Sequence, residues 1–159
     1  MEDGNIISLT FIGSIIGCPL VGWLSDTQGK RKPIMIVGAI ATLITVIPLF
    51  IDVSLSSIQL GSLFFALGFF TSTQVVSYPL IAESNLPDNT GAATGIASVI
   101  IMGGAGVGQL LFGSMMKYHA ASLSDHYAMA DFQFAMWIFP LTAALALIAV
   151  LFIRETNCH

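Results

Sequence analysis

Charge is what this chain has least of. Five Lys and Arg and nine Asp and Glu make up 9% of its 159 residues, where a soluble globular domain carries about 25%. So thin a supply cannot coat a water-facing surface, which excludes an ordinary soluble enzyme, and the high apolar content excludes a disordered segment. Five bases against nine acids leave no patch for a phosphate backbone, so nucleic acid is excluded as a partner. Cysteine is nearly absent. Cys18 falls in an apolar run and Cys158 in the tail, and neither a disulfide nor a metal site is expected of them. There is also no Gly-Lys-Ser/Thr phosphate loop and no nucleophile with an acid/base partner. The expectation is a protein that is not an enzyme, needs no cofactor and is not an ATP-driven pump.

What is present is apolar length. Hydrophobic residues are 55% of the chain and the mean hydropathy is +0.87. Every charge falls in a gap between apolar stretches: Glu2 and Asp3, then Asp26 to Lys32, Asp52, Glu83 and Asp88, then Lys117, Asp125 and Asp131, and last Arg154 and Glu155. Five uncharged runs lie between them, at 6–24, 34–51, 58–82, 91–116 and 132–153. A helix crosses the hydrocarbon core with roughly 20 residues at about 1.5 Å each. A charge at its centre costs about 2.5–3.5 kcal/mol on insertion scales. Lipid offers the backbone no hydrogen-bond partners, so the chain must bond to itself, and barrel strands of about 10 alternating residues do not fit continuous runs of twice that length. The expected fold is all-α: one polytopic transmembrane domain over 1–159, a bundle of five membrane helices in a lipid bilayer. Pro19, Pro48, Pro79 and Pro140 inside the runs suit membrane helices.

The bases orient the bundle. Lys30, Arg31 and Lys32 follow the first run and Arg154 follows the fifth, so five crossings put them on one side. Basic loops favour the cytoplasm, which places the N-terminus outside and the C-terminus inside, in the plasma membrane, taken as the inner membrane of a bacterium. The acidic start, Met1–Asn5, with its bases only after the first apolar run, is the reverse of a secretory signal peptide. His119, His126 and Asp125 fall between the last two runs and read better as a solvated loop than as metal ligands.

One loop carries the strongest local signal. Gly22-Trp23-Leu24-Ser25-Asp26-Thr27-Gln28-Gly29-Lys30-Arg31-Lys32-Pro33 reads as a tight hairpin. Gly22 would let a neighbouring helix approach, Asp26 could face a helix N-terminus or a base, and Gly29 would supply a positive φ. Lys30 and Arg31 would anchor at the headgroups, and Pro33 would open the next helix. This segment resembles the signature loop of the major facilitator superfamily, roughly Gly-x-x-x-Asp-basic-x-Gly-basic-basic. Gly22, Asp26, Gly29, Lys30 and Arg31 match, and Thr27 departs, standing where the family usually has a base. Tyr78-Pro79-Leu80-Ile81-Ala82-Glu83, then Pro87 and Gly91-Ala92-Ala93-Thr94-Gly95, looks like the family's turn between its tenth and eleventh helices. Asn89 and Thr90 stand where the family often has a base. Phe152-Ile153-Arg154-Glu155-Thr156 looks like the end of the twelfth helix.

The resemblance implies helices eight to twelve of a twelve-helix carrier. A placement at helices two to six would need an Arg inside the third span, and none is there. It further implies a secondary, alternating-access carrier for a small polar solute, of which this chain is the C-terminal part and the N-terminal helices are partners. A non-transporting remnant, or an assembly module of a split carrier, is the alternative.

Within this scheme Glu83 is a candidate for the cytoplasmic gate. Thr71, Gln74 and Tyr78, spaced by three and four, share one α-helical face. They and Gln109 lie on helices that line the cavity in the family, so solute contact and inter-helix hydrogen bonding are both open for them. Gly13/Gly17, Gly91/Gly95 and Gly104/Gly108 have the four-residue spacing that lets membrane helices meet closely. No Asp, Glu, Lys, Arg or His falls inside any of the five runs.

Overall fold

The computed structural model describes residues 3–51, 55–120 and 129–156, and all regular structure in them is helical. The elements are α1 (Asp3–Gln28), α2 (Lys32–Val46), α3 (Pro48–Ile51), α4 (Ser57–Thr71), α5 (Ser77–Glu83), α6 (Thr90–Ala120), α7 (Met129–Met136) and α8 (Ile138–Phe152). A 3-10 stretch, Ser72–Val76, joins α4 to α5, and a 3-10 turn, Pro87–Asn89, precedes α6. Four helical stretches are long and apolar enough to cross a membrane: Ile6–Gln28, Ser57–Glu83, Pro87–His119 and Asp131–Phe152. The shorter apolar helix Lys32–Val46 accompanies them.

Proline explains the breaks. Pro48 follows the interruption between α2 and α3, Pro79 follows the 3-10 stretch, and Pro140 follows the interruption at Trp137. A proline donates no N–H and its ring pushes on the carbonyl four residues back, so the turn before it loosens or tightens. Trp137 N–H accordingly bonds the Phe134 carbonyl at 3.3 Å, a three-residue spacing. Gly29 ends α1 at φ +64, its N–H reaching the Ser25 and Asp26 carbonyls at 3.1 and 3.3 Å. That is the left-handed cap expected of a helix-ending glycine.

Backbones meet most closely between α1 and α4. A Cβ on Gly68 would stand 1.9 Å from the Thr10 carbonyl oxygen, and one on Gly13 would stand 2.2 Å from that of Phe65. Ser14 adds a hydroxyl bond to the Gly68 carbonyl at 3.1 Å. α2 packs on α4, on the 3-10 stretch and on α8, while α6 meets α5 near one end and α7 near the other. Val21, Ile34 and Val76 form a buried cluster where α1, α2 and the 3-10 stretch converge.

The outward side chains are apolar. Phe11, Ile15, Trp23, Val99, Leu110 and Phe152 all have more than half of their surface open. A monomer in water seldom shows apolar patches of this extent, whereas hydrocarbon solvates them. The bundle is thus an all-α membrane fold.

Gly13/Gly17 sit in a helix contact as their spacing suggests, but Gly91/Gly95 and Gly104/Gly108 do not. Nothing among the described residues lies within 4 Å of a Cβ at any of those four, nor at Gly22. The expectation of a solvated loop at His119 is also corrected, because α6 extends through it. Its ring pairs with Asp131, which is 2% exposed. His126 and Asp125 lie outside the described residues.

Candidate functional site: an arginine-centred cluster and an inter-helix cleft

Helix α2 begins without a side-chain cap of its own, which leaves its first N–H groups unpaired within the helix. The tail after α8 supplies the partner. Glu155 accepts from the Arg31 backbone N–H at 2.8 Å through Oε1 and from the Lys32 N–H at 3.1 Å through Oε2. A carboxylate at a helix N-terminus satisfies the orphan donors and complements the helix dipole. Lys32 returns the contact, its Nζ donating to the Leu151 carbonyl at 2.8 Å, in the last turn of α8.

The Arg31 side chain then turns inward. Its guanidinium is 8% exposed. Nη2 and Nε donate to Glu83 Oε1 at 2.7 and 3.2 Å. Nη1 donates to the buried Ser25 hydroxyl at 3.0 Å and to Asp26 Oδ1 at 2.5 Å. The other oxygen of Glu83 accepts from the Thr156 hydroxyl at 2.6 Å. One side chain therefore ties together the ends of α1, α2 and α5, with the tail after α8 closing the ring. The planar fork of arginine permits this division of donors, which a lysine would not.

Among the signature positions, Gly29, Arg31 and Asp26 converge at this junction. Lys30 is exposed, and Gly22 faces open space. Glu83 does find a base, but across the bundle at Arg31 rather than near Asn89 and Thr90. Ser25, Glu155 and Thr156 were not singled out from sequence; the acid in the first tail residues was the available hint for Glu155.

The second feature is a cleft among α2, α4, the 3-10 stretch and α8. Two adjoining cavities of about 290 and 550 Å³ share Thr42, Thr71, Gln74, Ala143 and Ala146. The 3-10 period decides which side chains reach it. At three residues per turn, Thr71, Gln74 and Ser77 align, and all three line the smaller cavity. Tyr78 lines neither cavity. Its hydroxyl lies 3.4 Å from that of Ser98 on α6. The expected Thr71/Gln74/Tyr78 face is thus a Thr71/Gln74/Ser77 face. Gln109 borders a different cavity of about 500 Å³ between α6 and α8, which meets the larger cavity of the cleft at Phe139 and Thr142.

The chemistry of the cleft is uncharged. Thr71 and Ser77 donate their hydroxyl protons to helix carbonyls at 2.7 and 2.6 Å, leaving oxygen lone pairs toward the space. The Gln74 amide makes no hydrogen bond to another described residue. No cluster of potential metal ligands occurs among the described residues.

The Major Facilitator Superfamily profile matches residues 2–157. No curated protein and no solved structure matches the chain. A match over nearly every residue, on an all-α membrane bundle, makes this chain a member of the Major Facilitator Superfamily, a family of transporters.

Proposed function

We propose that this chain is the C-terminal part, helices eight to twelve, of a secondary carrier that moves a small polar solute by alternating access. In this reading α2 and α3 together make the second of five crossings. The Arg31 cluster faces the cytoplasm with the C-terminus, and the N-terminus faces outward, in a bacterial inner membrane. The cluster fastens the helix ends into one body, with Glu83 acting on the gate through Arg31. The cleft supplies part of the solute path.

The observation that carries this reading is Gln74: an amide within an apolar span, bordering a cavity with no hydrogen-bond partner among the described residues. Such a group is costly in hydrocarbon, and a solute or the water around it would satisfy it. Solute counterflow into proteoliposomes holding the full carrier, with neutral sugars and neutral amino acids as probes, tests the assignment. Gln74→Ala should raise the half-saturating concentration of the transported probe. An unchanged value would retire Gln74 as a solute contact.

A second reading, an assembly module of a split carrier, draws support from the open glycine face of α6. An upstream reading frame encoding about seven similar helices would favour it, and a remnant would lack one.

A further inference from the structure

At the end of α6 remote from Glu83, two ionisable side chains meet inside the fold. His119 Nδ1 pairs with Asp131 Oδ1. The Asp131 side chain is 3% exposed and the His119 side chain 30%. The imidazole lies flat on Phe134, with ring centroids 5.0 Å apart and planes 25° apart. His119 belongs to the last turn of α6 and Asp131 to the first turn of α7. Helix C-termini favour a cation and helix N-termini an anion. Both helix ends therefore support the same charge state, a protonated imidazole against an ionised carboxylate. A carboxylate this deeply buried is costly unless its charge is met, and a proton on His119 meets it.

We infer that the His119–Asp131 pair is a proton-binding clamp, which fastens the end of α6 to the start of α7 when the imidazole is protonated and releases it when the proton leaves. Nothing in the transport reading requires this site, and it stands at the opposite end of α6 from the Arg31 cluster. The step is a simple proton transfer: water on the exposed edge of the ring gives a proton to the imidazole or takes one from it, and no covalent bond between residues changes.

Among the described residues, the other charged or titratable groups on the elements around it are few. On α6 they are Lys117 and Tyr118, both within the last turns, and on α7 there is Asp131 alone. α8 carries none, and Glu83 on α5 lies at the far end. Asp125 and His126 lie outside the described residues.

The test is thermal unfolding of the full chain in detergent, for the unmodified protein, His119→Gln, Asp131→Asn and the double variant, at about pH 5.5 and about pH 8.5, either side of the imidazole range. At the lower pH each single variant should melt several degrees below the unmodified protein, and the double variant should melt no lower than the worse single. At the higher pH those differences should shrink or vanish. Differences of equal size at both pH values would show a neutral hydrogen bond and overturn the proposal, as would additive effects at the lower pH. Should a variant fail to fold, NMR of the unmodified chain with labelled histidine decides. The ring signal in contact with Phe134 should differ between the two pH values, and a signal that stays the same would overturn the clamp.

Discussion

Arg31 reaches Glu83 across 52 positions of sequence, with Nη2 2.7 Å from Oε1 and both side chains largely withdrawn from solvent, 8% and 15% exposed. The same guanidinium holds Asp26, but that carboxylate is 67% exposed. The two pairs should differ in weight. An exposed ion pair contributes about 0–1 kcal/mol, whereas removing one partner of a buried pair costs about 3–5 kcal/mol because the other charge is stranded. In thermal unfolding in detergent, Asp26→Asn should therefore move the melting temperature little, and Glu83→Gln should move it much more.

Glu155 caps a helix to which it is not joined in sequence. Deleting its carboxylate in Glu155→Ala exposes the Arg31 and Lys32 N–H groups and should cost about 0.5–2 kcal/mol, the range for loss of an N-terminal cap. Unfolding in detergent would measure it. The loss should be local, seen as faster hydrogen exchange at the start of α2 with α6 unchanged.

Glycines that look alike in sequence should separate sharply when given a methyl group. Gly68→Ala drives a Cβ to 1.9 Å from a backbone oxygen, so α1 and α4 must part, and a loss of about 1–3 kcal/mol, the cost of overpacking, is expected. Gly104→Ala meets nothing within 4 Å among the described residues, and alanine favours a helix by about 1 kcal/mol over glycine. Its melting temperature should hold or rise.

Gly29→Ala also enters open space, yet it should destabilise. Its φ of +64 lies where an L side chain costs about 1–2 kcal/mol. The penalty is conformational, so Gly29→Asn, which tolerates the left-handed region better, should recover part of the lost melting temperature.

The 3-10 stretch makes its own prediction for transport. Ser77→Val removes an oxygen from the wall of the cleft and should raise the half-saturating solute concentration alongside Gln74→Ala. Tyr78→Phe, pointing to Ser98 on α6, should leave that concentration unchanged in the same counterflow assay.

The membrane helices were legible in the sequence because lipid imposes a crude rule, long apolar runs with charge only near their ends, that Ile6–Gln28 and Pro87–His119 obey. Gly29 was legible because its turn is local. The partners of Arg31 were not, since Glu83 and Glu155 lie 52 and 124 positions away and only packing brings them together. The cleft face was half legible. Thr71 and Gln74 were found, but an α-helical period selects Tyr78 next, and the 3-10 period before Pro79 selects Ser77. Asp131, one residue outside the run at 132–153, passed for a loop charge because its burial depends on how α7 meets the end of α6.

The most direct measurement is a double-mutant cycle on the junction itself, Arg31→Gln, Glu83→Gln and both together, read by reversible unfolding of the full chain in detergent. If Arg31 fastens the helix ends through Glu83, the double variant should be no less stable than the worse single, a coupling of about 1–3 kcal/mol. Additive losses, with no coupling, would contradict the junction and the single moving body built on it.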